Sequence, residues 1–158
     1  MAGETYGKIQ TTFTLLTEET AIKWSFLFDS SQAIAGVYSW NAGEILQHNG
    51  AANGMVIISP ISGAKPLGVA MDDHTTTLNE TANSKITVIV NQHIGKTKMY
   101  SSTNISAASL PGIALYPSGT TAGYFDTIAS AASTLSCARL VSCDGTWLTY
   151  IWNGSYCA

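Results

Sequence analysis

Apolar and polar residues alternate along much of this chain. From Ala21, the run Ala-Ile-Lys-Trp-Ser-Phe-Leu-Phe places Ile22, Trp24, Phe26 and Phe28 at every second position, with Lys23 and Ser25 between them. In an extended chain those four side chains share one face, whereas on a helix they would spread around the cylinder, so the spacing predicts a strand. Lys85-Ile-Thr-Val-Ile-Val-Asn91 is β-branched at most positions and predicts another. Shorter stretches at 55–59, 67–71 and 146–152 read the same way, as do Tyr6 to Leu16 and Ile34 to Trp40. Between the runs lie Asn49-Gly50, Asn53-Gly54, Ser62-Gly63, Asp144-Gly145 and Asn153-Gly154, which supply the positive φ that tight turns need. Only Tyr124 to Leu135, with its Ala/Ser-rich centre, reads as a short helix.

Many short strands at close spacing predict an all-β fold, a small β-barrel or sandwich of antiparallel strands. The 158 residues fit one domain. Within it, residues 1–15 form a candidate extended N-terminal arm or edge strand, 16–100 a β-barrel core, and 101–158 a C-terminal β segment. The polar stretch Ser101 to Ser109 reads as the loop between the last two.

Composition narrows the class of function. Charged residues make up 11% of the chain, less than half the ~25% typical of soluble domains. Seventeen serines and nineteen threonines supply much of the polarity instead. A surface so poor in charge favours a subunit covered by partners over a free monomer. The seven Lys and Arg residues stand singly against a net charge of −3, so nucleic acid is not an expected partner. No apolar run approaches the ~18 residues of a membrane helix, and the first residues show no export signal. Synthesis in a reducing cytoplasm is the expectation.

Few residues carry recognisable chemistry. Asp72-Asp73-His74 is the one cluster of ionisable groups, able in principle to bind a cation or move a proton. Consecutive side chains on an extended chain point to opposite faces, however, so the cluster reads as a strand ending in a solvated loop. His48 and His93 lack metal-ligand spacing. Cys137, Cys143 and Cys157 form no Cys-x-x-Cys pattern. Cys137 and Cys143 share a face if one strand runs unbroken between them. A bridge between Cys143 and Cys157 is geometrically allowed, but the odd count favours reduced, buried thiols. A cysteine hydrolase would need one of the three to be reactive. Nucleophile-elbow, phosphate-loop and dinucleotide-binding motifs do not occur, and neither an enzyme activity, a metal nor a cofactor is expected. Trp147, Tyr150 and Trp152 gather rings near the C-terminus, where they serve as core, as subunit interface or as a glycan-stacking platform.

Gly43-Glu-Ile-Leu-Gln47, Gly54-Met-Val-Ile-Ile-Ser-Pro60, Lys65-Pro-Leu-Gly-Val-Ala-Met71 and Lys85-Ile-Thr-Val-Ile-Val90 follow one another in an order that resembles the β-barrel units of tailed-bacteriophage capsid decoration proteins, also called cement or head-stabilising proteins. The resemblance covers about residues 36–95. Leu140-Val-Ser-Cys-Asp-Gly-Thr-Trp147 is similar to the closing strand–turn–strand of phage fibre and appendage domains. The resemblance implies a non-enzymatic virion structural protein on the capsid exterior, a homotrimer that binds the major capsid protein and stabilises joints between its subunits. Tyr6, Ile9 and Phe13, with the exposed half of the early strands, are the expected capsid or subunit interface. The alternative is a carbohydrate-binding fibre module that uses Trp147, Tyr150 or Trp152.

Overall fold

The computed structural model describes residues 12–32, 39–62, 64–75, 85–129 and 136–153. Thirteen short strands among them are β1 (Phe13–Leu15), β2 (Lys23–Leu27), β3 (Ser39–Trp40), β4 (Ile45–His48), β5 (Val56–Ile58), β6 (Gly68–Ala70), β7 (His74–Thr75), β8 (Lys85–Ile89), β9 (His93–Thr97), β10 (Ala114–Pro117), β11 (Phe125–Asp126), β12 (Ala138–Cys143) and β13 (Leu148–Trp152). They form a six-stranded sheet in the order β1-β9-β13-β12-β10-β11, a five-stranded sheet in the order β2-β8-β6-β4-β5, and a β3–β7 ribbon. The pairings between these strands are antiparallel. The two sheets stay open as a sandwich, although a single bridge from Phe28 to Val56 brings the ends of the five-stranded sheet together.

Period-2 alternation gives the five-stranded sheet two buried faces. Ile45, Val69 and Ile89 turn towards the six-stranded sheet and meet Phe13, Leu115, Phe125, Leu140, Leu148, Tyr150 and Trp152 in the main core. Their neighbours Leu46, Ala70 and Val88 turn the other way, into a second core with Phe28, Val56, Leu67 and Trp40 of the ribbon. A sheet buried on both faces explains why Val88 and Ile89, adjacent in β8, are both apolar and enclosed in opposite cores. The six-stranded sheet has one buried face; Thr14, Ile94, Lys96, Arg139 and Thr149 lie on the other.

Two expectations change. Phe125–Asp126, inside the stretch read as a helix, is a strand paired with Tyr116 and Pro117. Asp126 is buried and tethers the loop after β9: its Oδ1 accepts from Asn104 Nδ2 at 2.9 Å and from the Ile128 amide at 3.2 Å. The strand from Cys137 to Cys143 is broken by a bulge at Val141, which resets the alternation so that Ser142 pairs with Thr149 and Cys143 with Leu148. Strand β9 pairs with β1 on one side and β13 on the other, so one sheet takes strands from residues 1–15, 16–100 and 101–158. The candidate arm is, over Phe13–Leu15, an edge strand of its own chain; residues 1–11 lie outside the described residues, as do 33–38 and 130–135.

Candidate interaction surface

Strand β2 forms one edge of the five-stranded sheet. Its pairing with β8 sets Trp24 beside Val88 and Phe26 beside Ile86, on the face that leads into the second core. Along that face burial is lost from Phe28 to Trp24, and Ile22 beyond it is also exposed. Phe28 is fully enclosed, Phe26 is half-buried, Trp24 is 61% exposed and Ile22 is 49% exposed. The apolar stripe legible in the sequence therefore begins in the core and ends in water. Such a stripe marks an interaction surface more often than an isolated exposed apolar residue does.

The stripe is held in place at its exposed end. Asn91 Oδ1 accepts the Ile22 amide at 2.7 Å, and Asn91 Nδ2 donates to the Thr20 carbonyl at 2.8 Å. The Val90 amide donates to the Ile22 carbonyl at 3.0 Å, carrying the ladder one residue beyond β2. Lys23 forms an ion pair with Glu18. Trp24 and Phe26 stand 6.3 Å apart between ring centroids, and Phe26 meets His48 edge-on at 5.6 Å. These bonds fix the backbone that carries the stripe, which lowers the entropy cost of docking a partner there.

The Asp-Asp-His cluster is structural. Asp73 Oδ1 accepts the Ala42 amide at 2.7 Å and the Thr12 hydroxyl at 3.1 Å, tying the start of β1 to the turn before β4. His74 stacks on Trp40 with centroids 4.6 Å apart. Nearby Glu44 is buried, and desolvation raises its carboxyl above the ordinary range although the Asn41 amide and side chain donate to it. Among the described residues no group of three or more His, Cys, Asp or Glu side chains is placed to hold a metal ion.

The other candidate residues are dispersed. Phe13 is 1% exposed and packs in the main core, so its side chain is closed to a partner in this conformation; Tyr6 and Ile9 lie outside the described residues. Tyr150 and Trp152 are fully buried, which removes both from the glycan-stacking reading, since a ring must be open to stack on a sugar. Trp147 is half-exposed, and Lys98 and Lys96 lie over its ring at 4.8 and 5.8 Å from the centroid. Cys137 is buried, its thiol pushed far up by desolvation. Cys143 is a free thiol, 3.7 Å from the Tyr100 hydroxyl, and Cys157 lies outside the described residues.

The sequence matches no family model, and no curated protein matches it. Among solved structures, the chain is similar to one in "The capsid of Myoviridae Phage XM1", with a TM-score of 0.56 and 10% sequence identity. The match covers 97% of this chain and 98% of that one. At so low an identity the likeness is one of fold, and it runs nearly the whole length of both chains: two antiparallel sheets packed as a sandwich, with the same extent as a chain from a phage capsid.

Proposed function

We propose that this protein is a non-enzymatic virion component that sits on the outside of a phage capsid, binds the major capsid protein, and stabilises joints between its subunits as a homotrimer. The observation that carries the reading is the near full-length fold likeness to a chain of a phage capsid structure. The low charge content and the ordered apolar stripe Ile22–Trp24–Phe26 on an edge strand support it from the chemistry of the surface. In this reading the stripe is the capsid-facing patch. Fully covering a large apolar side chain contributes about 1.5–3 kcal/mol, and a trimer that engages several sites at once needs only modest strength at each.

Co-sedimentation with shells of the cognate major capsid protein, together with light scattering of the free protein, tests the proposal. The expected result is an oligomer that pellets with shells and stays in the supernatant without them. A protein that never associates with shells, or that instead binds glycans through Trp147, would overturn it.

A further inference from the structure

Asn49-Gly50 and Asn53-Gly54 flank one short loop, between β4 and β5, and are the same dipeptide. Both glycines have positive φ, +83° and +69°, and a Cβ built on either would meet nothing within 4 Å. Both glycines are also exposed residues, so burial shields neither amide from solvent base. The asparagine side chains differ. Asn49 is held at both ends of its carboxamide: Nδ2 donates to Asp29 Oδ2 at 2.6 Å, and Oδ1 accepts the Ala51 amide at 3.0 Å. Its own amide also donates to the Met55 carbonyl at 3.0 Å. Asn53 is exposed, and among the described residues its carboxamide is held at the oxygen alone, by the Met55 amide at 3.1 Å.

We infer that Asn53 is a site of spontaneous deamidation in the folded protein and that Asn49, despite the same Asn-Gly dipeptide, is protected by Asp29. The Gly54 amide gives its proton to solvent base, and its nitrogen attacks Cγ of Asn53. A nitrogen–carbon bond forms, the Cγ–Nδ2 bond breaks, and ammonia leaves with a proton from water. Water then opens the succinimide at either carbonyl, leaving aspartate or isoaspartate. The net change is one water consumed and one neutral carboxamide converted to a carboxylate, with the nitrogen released as ammonium and no redox step. Closing the ring requires Cγ to swing onto the following nitrogen. Asn53 has to give up one exposed hydrogen bond for that motion, whereas Asn49 must break two, one of them to a carboxylate. The product places a new anion in the loop that joins β4 to β5, on a chain whose net charge is −3.

The test is peptide mapping by mass spectrometry with isoaspartate quantification, after incubating the full chain at mildly alkaline pH, folded and in concentrated urea. Asn53 should convert several times faster than Asn49 in the folded protein, and the two rates should converge in urea. In Asp29→Ala, the folded-state rate at Asn49 should rise towards that at Asn53. Equal rates in the folded wild type, an Asn53 that keeps its amide as long as Asn49 does, or an Asn49 still slow in Asp29→Ala would each overturn the assignment.

Discussion

Tyr150 and His93 are joined hydroxyl to ring nitrogen in the main core, with 3.0 Å between Oη and Nε2. The other ring nitrogen, Nδ1, lies 2.8 Å from the Asn91 carbonyl, which can only accept. Nδ1 therefore carries the proton and Nε2 accepts from the tyrosine, so the neutral imidazole is satisfied at both ends without a charge. Trp152 stacks on the same ring at 6.0 Å. Two of the three aromatic residues offered as a sugar platform, Tyr150 and Trp152, pack around a buried histidine.

This arrangement makes stability depend on pH. Burial lowers the His93 pKa from 6.5 to about 4. The folded state thus disfavours the protonated ring: the contribution is fully present above pH 6.5 and is lost as pH falls towards 4. Over that window the loss is about 3 kcal/mol, taking ~1.4 kcal/mol per pH unit. Glu44 acts in the opposite sense, since its raised pKa costs stability as pH rises above 4.5. Urea denaturation at a series of pH values should show a flatter dependence in His93→Phe and a steeper one in Glu44→Gln.

Tyr150 also lies across Gly95. A Cβ at that glycine would stand 2.7 Å from the tyrosine hydroxyl and 2.9 Å from Cε2 of Phe13. Neither atom can retreat, because Tyr150 and Phe13 are enclosed in the core. Gly95→Ala should therefore destabilise by roughly 1–3 kcal/mol through overpacking, read as a lower denaturation midpoint with an unchanged denaturant slope.

The graded stripe on β2 separates stability from binding. Trp24→Ser, at the exposed end, should change folding free energy by no more than about 0.5 kcal/mol. Phe28→Ala, at the enclosed end, should cost about 3–5 kcal/mol. If the stripe is the capsid-facing patch, Trp24→Ser should weaken shell binding while leaving thermal unfolding where it was. Undiminished binding by that variant would move the interface elsewhere.

Thiol reactivity tests the cysteine-hydrolase reading. Cys137 is buried, its pKa raised by desolvation, so its thiolate is scarce near neutral pH. Alkylation at pH 7 should label Cys137 only as fast as the protein unfolds, and adding denaturant should accelerate it sharply. Fast labelling of Cys137 in the native protein would contradict the enclosed environment.

Strand identity was legible where local alternation is strong. Lys23–Leu27, inside the alternating run, and Lys85–Ile89 are β-strands, the first as its spacing and the second as its β-branched content predicts, and the all-β class follows from them. Strand β9 gave no such signal, although it is an interior strand of the larger sheet, between β1 and β13. Its inward positions are His93, Gly95 and Thr97, none of which reads as core. They are buried because Tyr150, far along the chain, fills the space above Gly95 and bonds His93, while Thr97 donates to the Gly43 carbonyl. The same distinction separates Trp24 from Trp152, both apolar residues in alternating strands, one largely in water and the other enclosed. Alternation is a local property of an extended chain and fixes which side chains share a face. Whether a face meets water or a core depends on which distant residues arrive against it, and only the packed sheets decide that.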